Sequence, residues 1–265
     1  MIKKFFRKLN SLGQKAKEIS ESPLKIHIDT STLLPLDALL RLGTAYGGWL
    51  VPLSTGLTET SVCYLAGAGE DISFDCALAE RFKCIVRIID PTPRAIQHFK
   101  QLELAIKENN RFPINNSDSE FYDIKAVDFS RINFLPIGIS DKDAELKFFM
   151  PRNPLHVSCS TVNLQKTEDY FTAQCYRLET VMSQQEDKQV DLLKMDIEGA
   201  EYSVIRDILA SGLLPRILLI EFDEAHTPLD NDAGSRIKDH INQLVTAGMR
   251  CVAIEGSNAT FVRSW

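Results

Sequence analysis

The sequence lacks long apolar segments, paired cysteine motifs and an excess of positive charge. Its longest uncharged stretch, residues 42–58, contains four glycines and a proline, which is not the pattern of a membrane-spanning helix. The six cysteines show no Cys-x-x-Cys spacing, which argues against a zinc site or a disulfide framework and predicts free thiols. The formal net charge of −6 leaves no general basic surface, so nucleic acid is a disfavoured partner.

Length and composition are typical of one globular domain with a short addition. The chain has 265 residues, of which 44% are hydrophobic and 25% are charged, as in soluble globular proteins. We predict a basic helical extension over residues 1–24 and a single α/β domain over residues 25–265. No apolar run follows the basic N-terminus as a secretory signal requires, so we expect a cytoplasmic protein with reduced thiols.

The first 20 residues have the pattern of a basic amphipathic helix. Six basic residues are set against a single acid, Glu18, and apolar residues recur at nearly helical spacing. The basic residues are Lys3, Lys4, Arg7, Lys8, Lys15 and Lys17, and the apolar residues are Ile2, Phe5, Phe6, Leu9 and Leu12. Such a segment suits an anionic membrane surface or a protein partner, and it can also fold back on its own domain.

From residue 61 onward, short apolar runs alternate with longer amphipathic ones. This alternation predicts an α/β, Rossmann-like fold with a mostly parallel seven-stranded sheet and helices on both faces. The predicted strands cover residues 61–66, 84–89, 133–139, 190–195, 216–222, 250–254 and 260–263. The predicted helices cover residues 72–81, 200–210 and 233–247, and another begins at Thr92 and Pro93. Residues 145–150 are predicted as an added β segment, and residues 151–163 as a loop long enough to cover an active site.

A glycine-containing loop follows the first of these strands, where α/β sheets bind nucleotides. Its residues are Gly67, Ala68, Gly69, Glu70 and Asp71. Glycine at this turn lets a ligand approach the backbone closely. The dinucleotide fingerprint requires a third glycine where this chain has Ile72, and the two acids would repel a pyrophosphate. The sulfonium and ammonium groups of S-adenosylmethionine suit these acids better, so the loop predicts that cofactor.

Two further strand ends are predicted to complete the cofactor site. Asp90 ends the second strand, 21 residues after Gly69, where an acid can accept hydrogen bonds from both ribose hydroxyls of an adenosine. We include Pro91 with it, although a simple turn in Asp-Pro-Thr-Pro is the alternative. Ile139 and Ser140, at the end of the third predicted strand, are expected beside the adenine.

The end of the fourth strand carries the most specific motif. Residues 194–201, Lys-Met-Asp-Ile-Glu-Gly-Ala-Glu, resemble the hallmark of the FkbM family of O-methyltransferases. Residues 64–75 resemble the cofactor loop of that family. Residues 218–221, Leu-Leu-Ile-Glu, come after the motif at residues 194–201, which is also the order in that family. The resemblance covers residues 46–263. It implies a class I methyltransferase fold and O-methylation, commonly of sugar or natural-product hydroxyls.

Four side chains are candidates for the chemistry of methyl transfer. A hydroxyl is a poor nucleophile until its proton leaves, so a base or a metal ion is needed. Asp196 and Glu198 are two residues apart at a strand end, so their side chains can point to the same side and either can accept the proton. With Glu221 they could instead hold a divalent cation, which the spacing allows but does not demand. His226 is the histidine best placed to act as base.

These patterns favour an S-adenosylmethionine-dependent enzyme that methylates a hydroxyl of a sugar, glycan or related small molecule. One alternative is an NAD-dependent oxidoreductase or epimerase, which the absence of a Tyr-x-x-x-Lys pair disfavours. Another is a catalytically inactive binding module that docks through its basic helix. Residues 46–49, Tyr-Gly-Gly-Trp, are predicted either to fold over the cofactor or to pack in the core.

Overall fold

The computed structural model describes residues 22–115 and 117–263. The basic helix predicted over residues 1–20 lies outside this range, so that helix and the domain boundary after it stay predictions. The described chain begins at Ser22, which caps a short 3-10 helix, Pro23–Ile26. Within the described ranges, no helix is both long and apolar enough to cross a membrane.

Strands and helices alternate along the described chain. The strands are β1 (Leu39–Leu42), β2 (Trp49–Pro52), β3 (Val62–Ala66), β4 (Ile85–Ile89), β5 (Ile132–Leu135), β6 (Gly138–Ile139), β7 (Ala144–Phe149), β8 (Tyr170–Tyr176), β9 (Leu192–Met195), β10 (Ile217–Glu221), β11 (Met249–Glu255) and β12 (Asn258–Arg263). The α-helices are α1 (Ser73–Phe82), α2 (Pro93–Glu108), α3 (Leu178–Gln184), α4 (Glu201–Ser211) and α5 (Ala233–Thr246).

Seven strands form one sheet in the order β11-β12-β10-β9-β3-β4-β5. The strands β10, β9, β3, β4 and β5 run parallel to one another. β12 lies between β10 and β11 and is antiparallel to both. The prediction of a mostly parallel, seven-stranded Rossmann-like sheet is confirmed, including the pair of strands at its C-terminal end. All five parallel strands therefore end at the same edge of the sheet, which we call the carboxyl edge.

Side chains alternate across this sheet, and helices cover both faces as predicted. On β3, Tyr64 and Ala66 pack in the core shared with α3, α4 and α5. Cys63 and Leu65 pack in the opposite core, with α1, α2 and the β1–β2 hairpin. Strands that are buried on both faces are typical of parallel sheets. Since each fully buried aliphatic side chain contributes roughly 1.5–3 kcal/mol, the two cores together hold the strand ends in place.

The third predicted strand, residues 133–139, is wrong as one element. β5 ends at Leu135, because Pro136 has no amide hydrogen to continue the ladder. Gly138 and Ile139 form the separate strand β6, which pairs with β8 in a three-stranded sheet of order β6-β8-β7. The added β segment predicted at residues 145–150 is confirmed as β7.

Some elements carried no clear signal in the sequence. The β1–β2 hairpin, β8 and α3 were not predicted. Each is short or has one exposed face: along β8, for example, exposed residues alternate with partly or fully buried ones over its first six positions. Their pairing depends on strands or cores elsewhere in the chain, which local periodicity does not report.

The carboxyl ends of β3 and β9 are in direct contact. The amide of Asp196 donates to the carbonyl of Ala66 at 3.1 Å. At Gly67, whose φ is +83°, a Cβ atom would lie 1.7 Å from the backbone oxygen of Asp196. Only glycine fits this turn, because any side chain would collide with the neighbouring backbone. The loops after β3 and β9 consequently face one shared space.

We predict that Gly67→Ala destabilises the protein more than Gly212→Ala. Both positions have a left-handed φ, which costs alanine about 1–2 kcal/mol, but a Cβ at Gly212 would meet nothing within 4 Å. The collision at Gly67 should add about 2 kcal/mol or more to the loss of unfolding free energy, measured by urea denaturation. Equal losses for the two variants would contradict the close contact.

Candidate active site

A cavity of about 370 Å³ opens at the carboxyl edge, at the ends of β3, β4, β9 and β10. It brings the glycine loop and the carboxylate motif together. The predicted site residues that line it are Gly67, Ala68, Gly69, Glu70, Asp71, Asp90, Pro91, Ile139, Asp196, Glu198, Glu221 and His226. Ser140 does not line it: this residue is buried, and its amide donates to the carbonyl of Tyr176 at 2.9 Å.

Asp90 organises the glycine loop from the end of β4. Its Oδ2 atom accepts hydrogen bonds from the backbone amides of Ala68 at 2.8 Å and Gly69 at 3.0 Å. Its Oδ1 atom accepts one from the amide of Thr92 at 2.8 Å, and the residue is 4% exposed. Hydrogen bonds to a charged group are worth more than neutral ones, so Asp90 holds both the loop and the turn after β4. Its contact with a ribose stays a prediction.

Glu70 and Asp71 line the cavity, but both also bind groups of their own chain. Glu70 forms an ion pair with Arg94, with 2.5 Å between Oε2 and Nη2. Asp71 accepts hydrogen bonds from Oγ1 of Thr44 at 2.6 Å and from the amide of Ser73 at 2.9 Å. Arg94 therefore reduces the attraction that Glu70 can offer a cationic ligand, whereas these partners of Asp71 carry no charge.

Lys194 lines the cavity and connects the glycine loop to the carboxylate motif. Its Nζ atom donates to the carbonyl of Gly67 at 2.5 Å and lies 3.6 Å from Oδ2 of Asp196. The residue is 4% exposed, and a buried ammonium group is costly unless it is paired. Desolvation raises the pKa of Asp196 well above its usual range, and the nearby Lys194 opposes this shift. The pair thus ties the end of β9 to the glycine loop.

Glu198 has a strained backbone beside the cavity. Its φ of +57° lies in the left-handed region, and Gly199 follows with φ +93°. Such strain persists only where the surroundings hold it, and it is frequent at functional sites. Here Oγ of Ser160 donates to the Glu198 carbonyl at 2.5 Å. Desolvation and the charge of Asp223 raise the pKa of Glu198 to about 7, and a hydrogen bond from Ser158 opposes the shift.

Residues 151–163 lie over the cavity. The loop residues that line it are Val157, Ser158, Cys159 and Thr161. Arg94 donates to the carbonyls of Leu155 and His156, each at 3.0 Å. Because Arg94 also pairs with Glu70, one guanidinium connects the cover loop to the glycine loop. The imidazole of His156 does not line the cavity.

A histidine and two carboxylates form a polar cluster after β10. Nε2 of His226 lies 3.5 Å from Oε1 of Glu221 and 3.5 Å from Oδ1 of Asp223. Hydrogen bonds to Asp223 and Glu221 raise the pKa of His226 to about 10. At neutral pH this imidazole is therefore protonated, which favours charge stabilisation over the predicted role as base. Asp223 also accepts a hydrogen bond from the amide of Gly199 at 3.1 Å, which links this cluster to the motif after β9.

Sequence reasoning missed several residues of the cavity. Asp223 was the one most open to prediction, because it follows β10 two residues after Glu221. Asn115 reaches the cavity from a loop and Asn258 from the start of β12, both distant in sequence from the motifs, and no local pattern reveals this. Glu201 belongs to the predicted motif but does not line the cavity: it is the first residue of α4 and is fully buried.

The chemistry of the lining fits S-adenosylmethionine. Gly67 and Gly69 present bare backbone to the cavity. Along its described lining, the only basic side chains are those of Lys194 and His226, and both pair with carboxylates. A pyrophosphate would require positive charge or free N–H groups in that place. A cofactor with a sulfonium, an ammonium and no phosphate needs neither.

Comparisons with known proteins find a protein family whose pattern matches the segment that contains the glycine loop and the carboxylate motif. The methyltransferase FkbM domain matches residues 66–248. A fibrillarin pre-rRNA processing protein of Methanococcus jannaschii is 14% identical, with 78% of this chain and 67% of that chain covered and a TM-score of 0.38. A fibrillarin/Nop5p complex is 10% identical, with coverage of 79% and 75% and a TM-score of 0.39. No curated protein matches this chain.

We predict that Asp90→Asn weakens the binding of S-adenosylhomocysteine about tenfold or more. Asparagine has a single acceptor oxygen, so it can accept from the two loop amides or from the amide of Thr92 but not from all three, and the bonds that remain are no longer charge-assisted. Calorimetric titration measures the effect. Asp128→Asn is the matched control, because Asp128 also caps a turn through the amide of Ser130 but lies before β5, away from the cavity. Equal affinities of the two variants would contradict this role of Asp90.

Proposed function

This chain belongs to the methyltransferase FkbM family and is an S-adenosylmethionine-dependent methyltransferase, and we propose that it methylates a hydroxyl group of a sugar, glycan or related small molecule. Family membership favours methyl transfer over the alternative of an NAD-dependent oxidoreductase or epimerase. The cofactor, when bound, supplies a methyl group on a positively charged sulfur.

One observation carries the proposal: the glycine loop after β3 and the carboxylates after β9 and β10 line the same cavity. Asp196, Glu198 and Glu221 come from adjacent strand ends and line the cavity together with the loop at Gly67–Asp71. Carboxylates are strong acceptors for the hydroxyls of a polyol, and one of them can take the proton that the reacting oxygen releases. A hydroxyl-bearing acceptor fits these groups, whereas an anionic acceptor would be repelled by them.

We assign the role of general base to Glu198. A base works best when its pKa lies near the working pH, and the pKa of Glu198 is about 7. Its strained backbone directs the residue to the cavity, where its carboxylate is held by the hydroxyl of Ser158. Glu198 is thus both positioned and able to change its protonation state at neutral pH.

The other charged groups then have supporting roles. Asp196 is tied to Lys194, so its carboxylate serves to position the glycine loop and to bind the acceptor. His226 lies protonated between Glu221 and Asp223 and offsets their negative charge. These two carboxylates therefore repel the ionised Glu198 less strongly.

We predict that Glu198→Gln lowers kcat by roughly 10²-fold or more and removes the acid limb of the kcat/KM profile. The wild-type rate should rise with pH through about 7, since the base is active only when it is ionised. Ser158→Ala is the matched variant: it removes the hydrogen bond that lowers this pKa, so the acid limb should move to higher pH with the limiting rate largely kept. An unchanged profile in Glu198→Gln would assign the base elsewhere, first to Asp196.

A divalent metal ion is the second candidate for activating the hydroxyl. Glu221, Asp223 and His226 offer ligand atoms that all lie within 4.8 Å of one another. A carboxylate–histidine set of this kind accepts several divalent ions. Binding would require His226 to lose its proton, and that proton is strongly held by the same two carboxylates.

We predict that a chelator leaves the activity unchanged, because the imidazolium already supplies positive charge to this cluster. The measurement is turnover after treatment with EDTA and again after addition of Mg²⁺. Loss of activity that Mg²⁺ restores would instead support the metal-assisted reaction. His226→Gln separates the two cases further: a metal-assisted enzyme should then need more Mg²⁺ for the same turnover, whereas a metal-free enzyme should stay indifferent to Mg²⁺.

A further inference from the structure

Tyr46 lies at the opening of the cavity. The two alternatives predicted for residues 46–49 are divided between two side chains: Trp49 packs in the core, whereas Tyr46 lines the cavity. Among the described lining residues, only Tyr46 and Phe148 carry a phenol or phenyl ring, and Phe148 is buried. Tyr46 is 73% exposed. A side chain that lines a cavity and still meets solvent is available to a ligand that enters there.

The loop that carries Tyr46 is held on both sides of it. The guanidinium of Arg41 donates to the carbonyls of Thr44 at 3.2 Å and Ala45 at 2.9 Å. The hydroxyl of Thr44 donates to Oδ2 of Asp71 in the glycine loop at 2.6 Å, and it accepts from the amide of residue 47 at 2.9 Å. Because the backbone is already ordered, binding of a ligand to the ring costs little further conformational entropy.

Three carboxylates of the cavity lie near the phenol of Tyr46. Partial desolvation raises the pKa of this phenol, and the charges of Asp196, Glu198 and Glu221 raise it further. These are the carboxylates to which the proposed function assigns the acceptor. The exposed ring therefore borders the part of the cavity where the acceptor is expected. An open aromatic face and several carboxylates offer a ligand two different kinds of contact.

A sugar ring matches both kinds of contact. Its hydroxyls project from the edge of the ring and donate the hydrogen bonds that carboxylates accept. Its C–H groups form apolar patches on the two faces of the ring, and these pack well on the flat face of an aromatic side chain. An acyclic polyol has the hydroxyls without a flat apolar face, and a small phenol has a face with a single hydroxyl. The combination therefore selects a carbohydrate ring.

We propose that Tyr46 forms an acceptor subsite on which a neutral pyranose ring stacks, with the hydroxyl edge of the ring turned toward the carboxylates after β9 and β10. The inference rests on the proposed function, since the stacked ring carries the hydroxyl that receives the methyl group. Tyr46 takes no part in the proton transfer. It is a specificity-determining residue that selects the ring and orients it.

The test is binding of methyl pyranosides to the full chain saturated with S-adenosylhomocysteine, measured by saturation-transfer NMR. The probes are the methyl glycosides of glucose, galactose, mannose, fucose and rhamnose. At least one of them should bind, with the strongest transfer to the C–H protons of its ring. Tyr46→Ala should weaken this binding about tenfold, because the stacking contact is lost. Tyr46→Phe should keep most of the affinity, since the aromatic face remains.

Tyr170→Ala is the matched control, because Tyr170 is also an exposed tyrosine but lies on β8, outside the described lining of the cavity. It should bind the pyranosides as the wild type does. Equal binding by Tyr46→Ala and Tyr170→Ala, or no binding by the wild type, would overturn the proposal. A selective loss of affinity for S-adenosylhomocysteine in Tyr46→Ala would assign the ring to the cofactor and would overturn it as well.

Methyl transfer is measured separately, by mass spectrometry after incubation of the same pyranosides, glycerol and sorbitol with S-adenosylmethionine. For a methylated pyranoside, Tyr46→Ala should raise KM about tenfold and change kcat less. Methylation of glycerol or sorbitol but of no pyranoside would uphold the proposed function and overturn the subsite. Pyranoside binding that depends on Tyr46, without methylation of any of these hydroxyls, would uphold the stacking contact and contradict the proposed function.

Discussion

The contact between Gly67 and the backbone of Asp196 is the constraint on which the site depends. It brings the end of β3 so close to the end of β9 that a single methyl group would not fit between them. Lys194 reinforces the contact by bonding to the carbonyl of Gly67 while it pairs with Asp196. The loop expected to hold the cofactor and the carboxylates expected to act on the acceptor therefore cannot move independently.

Crowding of carboxylates at one edge dictates the protonation states there. Seven of the residues that line the cavity are acidic and only Lys194 and His226 are basic, so the protonation state of each group depends on its neighbours. His226 gains a proton because two carboxylates accept from it, whereas Glu198 has weaker partners and titrates near neutrality. The same local excess of negative charge that attracts a cationic cofactor thus leaves one carboxylate able to serve as base.

The carboxyl edge also holds the loop that covers the cavity. The cover loop is held there by Arg94, which bonds to Glu70 at the glycine loop and to carbonyls of the cover. The glycine loop, the cover loop and the carboxylates at the ends of β9 and β10 therefore all lie at one edge of the sheet.

The sequence by itself determined the α/β order, the main strands and most residues of the cavity. Apolar periodicity reports which segments are buried, and glycines or acids at the ends of parallel strands are typical of ligand sites, so Gly67, Asp90, Asp196 and Glu198 were predictable. Only the tertiary structure decided that Pro136 breaks the third predicted strand, that Ser140 stays outside the cavity and that Asn115 and Asn258 enter it. It also decided that His226 is protonated, because a pKa depends on which distant charges folding brings within a few ångströms, and local sequence does not contain that distance.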